Sequence, residues 1–137
     1  MLPIRTLVRA AATAVAMVFF AVATAAAQPA DKVEAEARDL LQQYATALAS
    51  LDANAVKKLQ PAIDVDAMKK AFKEMRALEV SIDNVKVLSV DAALARVSCR
   101  VSQTLTPKAG SKQTTAVTRV LRLRRAPTGW VIDAFER

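Results

Sequence analysis

The chain has 137 residues, 53% of them hydrophobic, with 20 Lys and Arg, 13 Asp and Glu, one Cys and no His. A chain of this length provides one domain of ordinary size. Because the chain has no His, it lacks the commonest general base and zinc ligand. A single Cys excludes an internal disulfide. Two Gly are too few for a phosphate-binding loop or a dinucleotide-binding motif. The composition therefore predicts neither a metal site nor a cofactor.

The first 27 residues have the three parts of a secretory signal peptide. Arg5 and Arg9 precede a run of uncharged, mostly apolar residues, and this run ends in three alanines at 25–27. We therefore predict export to a bacterial periplasm, with cleavage after Ala27. The alternative is an uncleaved N-terminal membrane anchor, because about 18 apolar residues can just cross a bilayer. Cleavage leaves residues 28–137 as a single domain with a net charge of +5.

Three helices are predicted in the first half of this domain. Asp31 is expected to cap the first, in which apolar residues recur at helical spacing over about five turns. These residues are Val33, Ala37, Leu40, Leu41, Tyr44, Leu48 and Leu51. The second helix is expected to begin at Asp52 and to stop before Pro61. The third is expected to begin near Asp64 or Asp66 and to run through Phe72 and Met75.

From about Leu78 onward, apolar residues alternate with polar ones, which is typical of strands. The phase of the alternation changes at Asp83 and Asn84, which indicates a β-bulge. Cys99 follows the apolar phase and is therefore expected to be buried. Turn residues at 91–93, 106–113 and 126–129 divide this half of the chain into separate strands. Helices followed by an antiparallel sheet predict an α+β domain.

Three segments carry a resemblance to a known family: residues 44–48, residues 52–59, and a closing hairpin at 120–132 that contains Gly129 and Trp130. In their order and spacing they resemble the nuclear transport factor 2-like superfamily, which includes SnoaL-like proteins and ketosteroid isomerases. The likeness covers nearly all of residues 31–136. It implies a cone-like fold in which helices pack on a curved antiparallel sheet, often with a pocket between them.

The resemblance also implies which residues line that pocket. The isomerases use a tyrosine on the first helix, an aspartate base on a strand after the second helix, and a second aspartic acid that stays neutral. Tyr44 matches the tyrosine, about Arg119 replaces the neutral acid, and the strand pair that holds the base is missing. A cation at position 119 can bind an anion instead. We therefore predict Tyr44, Arg119 and Trp130 as ligand-binding residues and no catalytic residue. The alternative for Tyr44 is a core aromatic whose hydroxyl reaches a polar neighbour.

Basic residues concentrate on two of the predicted strands. If residues 94–105 and 114–125 pair, much of this charge lies on one surface, formed by Arg96, Arg100, Arg122 and Arg124. Arginine suits a carboxylate or phosphate partner, whereas the alternative is a solvated face that keeps the protein soluble. Nucleic acid is not expected as a partner, because no aromatic residues alternate with the arginines to stack bases.

Three functional hypotheses follow, because one fold can carry enzymes and binding modules alike. The first is a non-catalytic exported module that binds a small molecule or a protein. The second is a small enzyme that uses Tyr44 with a carboxylate from Asp64, Asp66 or Asp133. The third is a homodimer that packs sheet against sheet. We favour the first, because the base and the neutral acid of the isomerases are both missing.

Overall fold

The computed structural model describes residues 30–136, so the predicted signal segment lies outside the described residues. The elements are α1 (Ala30–Ala49), α2 (Ala53–Leu59), α3 (Val65–Lys73), β1 (Met75–Val90), β2 (Leu94–Pro107), β3 (Gln113–Ala126) and β4 (Gly129–Phe135). The four strands form one antiparallel sheet in chain order, and the helices pack on one side of it. The predicted α+β class is therefore confirmed.

The helix α1 forms where the apolar spacing predicts it, but both of its ends differ from the prediction. Ala30 is already helical, so Asp31 lies in the first turn, where its carboxylate still favours the positive end of the helix dipole. The helix ends at Ala49, and Leu51 adopts a left-handed backbone with φ +53° that turns the chain into α2. Within residues 30–136, no helix combines the length and hydropathy that a bilayer crossing requires.

The two short helices begin at the predicted aspartates. The Asp52 carboxylate accepts a hydrogen bond from the Ala55 amide at 3.1 Å, and Asp64 accepts one from the Ala67 amide at 3.1 Å. Each bond satisfies an amide that has no partner within the helix. Met75 does not end α3 as predicted. It is the first residue of β1, where it pairs with Pro107 at the end of β2.

The predicted change of phase on β1 is a β-bulge. The register with β2 shifts between Asp83 and Lys86, and Asn84 has the left-handed φ of +52°. Asparagine tolerates this conformation better than most residues. The extra residue turns Val85 into the core, where it is 6% exposed, so β1 curves around the side of α1.

The core lies between α1 and the inner face of the sheet. Its largest fully buried side chains come from every layer, and they are Leu41, Leu121, Leu123, Ile132, Val33, Val56, Val97 and Cys99. Cys99 is buried, as its place in the alternation predicts. Burial, with a smaller contribution from the charge of Asp83, raises the pKa of its thiol to about 11. The thiol therefore stays protonated at neutral pH and packs as a small apolar group.

Candidate functional site

A cleft opens where the two central strands run beyond the core. β4 pairs with β3 only from Leu121 to Ala126, so residues 113–119 of β3 have no β4 partner among the described residues. The inner face of this extension continues the alternation of the core. Together with α1 and the end of β4 it encloses about 480 Å³, lined by Tyr44, Leu48, Val101, Gln103, Thr115, Val117, Arg119 and Phe135.

Arg119 is the only charged residue among the eight that line this cleft. It lies opposite Cys99 in the β2–β3 register, and it therefore belongs to the inner face. It is exposed and makes no ion pair with a described residue. Most of the other lining side chains are apolar or aromatic, and Gln103 and Thr115 add uncharged polar groups. The cleft therefore offers an apolar surface with one unpaired guanidinium group.

Tyr44 contributes its ring to the cleft, while its hydroxyl group is already bonded. The hydroxyl donates a hydrogen bond to Oε1 of Gln60 at 3.1 Å, and Gln60 does not line the cleft. The ring lies 6.2 Å from the Phe135 ring, between centroids. Burial raises the pKa of the hydroxyl to about 12. This arrangement agrees with the alternative reading of Tyr44, in which the hydroxyl of a core aromatic reaches a polar neighbour.

The ionisation of Tyr44 gives a direct test of this burial. The residue is the only tyrosine in the chain, so tyrosinate absorbance reports on it alone. We expect the folded protein to ionise near pH 12 and the protein in denaturant near the ordinary value of 10.0. Between these values the unfolded chain has lost a proton that the folded chain retains, so stability falls as the pH rises. A midpoint near 10 in the folded protein would show that the hydroxyl is solvated.

Trp130 lies outside this cleft, although it was predicted together with Tyr44 and Arg119. It stands at the start of β4, five residues and about 16 Å of extended strand before Phe135. Its Nε1 donates to Oε2 of Glu36 on α1 at 2.6 Å, and the Arg125 guanidinium carbon lies 4.3 Å from the ring centroid. These contacts tie the β3–β4 hairpin to α1.

The carboxylates named in the enzyme hypothesis lie elsewhere. Asp64 caps α3, Asp66 is exposed in the first turn of the same helix, and Asp133 lies 3.6 Å from Arg124. None of the three lines the cleft beside Tyr44. Among residues 30–136, no three His, Cys, Asp or Glu side chains come together as a potential metal site.

The four arginines of the predicted basic surface lie on the outer face of the sheet. Arg96 lies opposite Arg122, and Arg96 also binds Glu136 through two hydrogen bonds of 2.7 and 2.8 Å. This pairing lowers the pKa of the Glu136 carboxyl, chiefly through the hydrogen bond from Arg96. Arg124 pairs with Asp133. The outer face is therefore partly neutralised.

Sequence reasoning missed several residues of the cleft. Gln103 and Thr115 follow the same alternation as Val101 and Val117, so extending the inner-face phase beyond the apolar residues would have found them. Phe135 was predicted only as the end of a strand. No local signal marks Gln60 as the partner of Tyr44, because the two are separated by 16 residues.

No protein-family model and no curated protein matches the chain. Solved structures do match it. An aromatic ring hydroxylase, so named provisionally, from Novosphingobium aromaticivorans has 17% identity and a TM-score of 0.68, over 79% of this chain and 89% of that one. A nuclear transport factor 2-like superfamily protein from Salmonella enterica serovar Typhimurium has 16% identity and a TM-score of 0.65, over 79% and 91%. A ketosteroid isomerase-like protein from Erwinia carotovora has 20% identity and a TM-score of 0.56, over 77% and 94%. Likeness at these identities establishes a shared fold.

Proposed function

We propose that this chain, which has the nuclear transport factor 2-like fold, is an exported, non-catalytic module that binds a small molecule with an apolar body and one anionic group. The observation that carries the proposal is the position of Arg119. Among the described residues, it is the single charged side chain in a cleft of about 480 Å³ whose other lining residues are mostly apolar. This volume falls within the range of about 300–1,000 Å³ that is usual for small-molecule sites.

The chemistry of the lining favours an anionic ligand over a neutral or cationic one. Burying apolar ligand surface against Leu48, Val101, Val117 and Phe135 supplies a non-directional attraction. The guanidinium group of Arg119 adds a forked donor for a carboxylate or sulfonate. Because Arg119 has no ion pair to break with a described residue, an anion gains this interaction without displacing another carboxylate.

The same residues support binding over catalysis at this cleft. Proton transfer needs a base within hydrogen-bond reach of the ligand, and no lining residue in the described part of the chain has a carboxylate. The hydroxyl proton of Tyr44, which an isomerase would donate to an oxyanion, is used by Gln60. Proton transfer of the isomerase kind therefore has neither a base nor a free tyrosine hydroxyl among the described residues of this cleft.

The export part of the proposal is supported by residues 1–27 alone. Their two arginines, apolar run and terminal alanines fit a cleaved signal peptide. Intact mass of the protein recovered from its own source tests it. A chain that begins at Gln28 supports export with cleavage, and a full-length chain in the membrane fraction supports the anchor instead.

A pair of matched fluorescent probes tests the ligand chemistry. Anilinonaphthalene sulfonate has an aromatic body with a sulfonate group, and N-phenylnaphthylamine has the same body without the charge. We expect Arg119→Gln to weaken binding of the sulfonate roughly three- to tenfold, the range for a charge-assisted hydrogen bond at a partly solvated site. Binding of the neutral probe should change by less than about twofold, because its contacts are apolar.

Arg122→Gln is the control variant, because it removes one exposed arginine from the opposite face of the sheet, and Arg122 lines neither the cleft nor the depression beside Lys86 and Arg100. It should leave the affinity of both probes unchanged. Equal weakening of the two probes by Arg119→Gln would contradict the proposed role of the guanidinium group. Sulfonate binding that responds equally to Arg119→Gln and Arg122→Gln would indicate a general charge effect and would also contradict the proposal.

A further inference from the structure

We propose that the outer face of the sheet carries a second, separate site, centred on Lys86 and Arg100, that binds an oxyanion of the phosphate or sulfate type. The site is a shallow depression of about 270 Å³. Its lining residues are Asn84, Lys86, Ser98, Cys99, Arg100 and Thr118. It rests on residues that the proposed cleft does not use.

The β-bulge on β1 builds this depression. In the register, Lys86 lies opposite Ser98, and Arg100 lies opposite Thr118 on β3. The bulge inserts Asn84 beside them with its left-handed backbone. Three neighbouring strands therefore contribute polar residues to one place on the outer face. A regular strand would place every second residue there without the additional carboxamide.

Ion pairs hold two arginines of the outer face but not the two cations of the depression. Arg122 also forms no ion pair with a described residue, and it does not line the depression. Arg96 is held by Glu136 and Arg124 by Asp133, so these two arginines have acidic partners. Lys86 and Arg100 form no ion pair with a described residue. Asp83 lies opposite Arg100 in the register and does not form an ion pair with it. Two cations therefore remain available beside one depression.

The donors in the depression suit an anion with several terminal oxygens. Arg100 offers a planar fork, Lys86 a point charge, Ser98 and Thr118 hydroxyl groups, and Asn84 a carboxamide. A carboxylate has two oxygens in one plane, whereas phosphate and sulfate groups present three or four in a tetrahedron. The tetrahedral anion can therefore use donors from three strands at the same time.

Inorganic phosphate is the first probe for this site. Backbone amide chemical shifts of the full chain would be followed during titration at constant ionic strength. We expect the amides of Asn84, Ser98 and Arg100 to shift together with one dissociation constant. The double substitution Lys86→Gln with Arg100→Gln should weaken phosphate binding at least about tenfold, because it removes both charge-assisted contacts.

The matched control is Lys108→Gln with Lys112→Gln, which removes the same charge from the loop between β2 and β3. It should change phosphate affinity by less than about twofold. Both double variants alter exposed residues, and unchanged thermal unfolding would show that each remains folded. Equal loss in the two variants, or shifts confined to the cleft residues and abolished by Arg119→Gln, would overturn the proposal. Arg119→Gln also distinguishes this site from the cleft, because it should leave phosphate binding at Lys86 and Arg100 intact. Either proposal can therefore fail without the other.

A second arm identifies the source of the oxyanion. Vesicles of phosphatidylcholine with or without phosphatidic acid would be sedimented with the protein. Cosedimentation that requires phosphatidic acid and is lost only in the Lys86 and Arg100 variant assigns a lipid headgroup. Phosphate binding without cosedimentation assigns a soluble phosphate. Cosedimentation lost equally in both double variants indicates unspecific attraction to the membrane charge and counts against the site.

Discussion

Leu123→Ala is expected to reduce the free energy of unfolding by about 2–5 kcal/mol. Leu123 is fully buried, and it lies between Ala95 on β2 and Ile132 on β4 in the centre of the sheet. Neighbours in a hydrogen-bonded sheet cannot move inward to fill the space. The loss of stability therefore includes both the lost apolar contacts and the cost of the cavity. Denaturant unfolding measures the change directly.

The expected loss is a large fraction of the about 5–15 kcal/mol that stabilises a typical domain. We therefore expect the midpoint of thermal unfolding to fall by roughly 10 °C or more. Leu88→Ala is the matched control, because it deletes the same atoms from a residue that is 50% exposed. It should change stability by about 0.5 kcal/mol or less. Similar losses in the two variants would contradict the position of Leu123 in the core.

Patterns along the chain predicted most of the fold because local physics sets most of it. The caps at Asp52 and Asp64 and the bulge at Asp83 depend on neighbours within three residues. The class and order of elements predicted from the family resemblance are likewise confirmed. The start of β1 was predicted late because pairing determines it. Met75 joins the sheet through Pro107, and the Lys108 amide donates to the Glu74 carbonyl at 2.9 Å. A spacing rule along one segment cannot detect that contact.

The cleft illustrates the same division between local and distant causes. Alternation correctly puts Val117 on the inner face, and the resemblance points to Tyr44 and Arg119, which the structure brings to one cleft. Their roles in binding stay predictions. The cleft exists because β3 has 14 residues and β4 has 7, which leaves one end of the inner face uncovered. A face assignment does not include strand length. For this reason Trp130 was grouped with Tyr44 and Arg119, although it lies about 16 Å along β4 from Phe135, the β4 residue that lines the cleft.

The sequence locates the arginines of the outer face but does not identify their acidic partners. Alternation places Arg96, Arg100, Arg122 and Arg124 together. Their partners come from the other end of the domain, since Arg96 and Glu136 are separated by 40 residues. The pairing depends on β4 returning alongside β3, where Glu136 donates its amide to the Val120 carbonyl at 2.7 Å. Only this return distinguishes the paired Arg96 and Arg124 from Arg100 and Arg122.

Trp130→Ala is expected to be the most destabilising single change outside the sheet centre, with a loss of about 3–5 kcal/mol. The indole is 7% exposed, so its removal leaves a cavity between α1 and the β3–β4 hairpin. Trp130→Phe keeps most of the buried ring and removes the donor. It should lower the free energy of unfolding by about 1–2 kcal/mol. This loss is smaller than that for a hydrogen bond to a fully buried carboxylate, because the Glu36 side chain is 32% exposed.

A double-mutant cycle separates the hydrogen bond from the packing. If Trp130→Phe and Glu36→Ala act through the bond of 2.6 Å, the double variant should lose about 1 kcal/mol less than the sum of the single losses. Arg125 contacts both partners, with its guanidinium carbon 4.3 Å from the indole centroid and Nη2 3.9 Å from Oε2 of Glu36. The cycle should therefore be repeated with Arg125→Met, which keeps an unbranched apolar stem and removes the guanidinium charge. A coupling that persists in that background belongs to the indole and the carboxylate, whereas additive losses would show that Glu36 and Trp130 stabilise the hairpin independently.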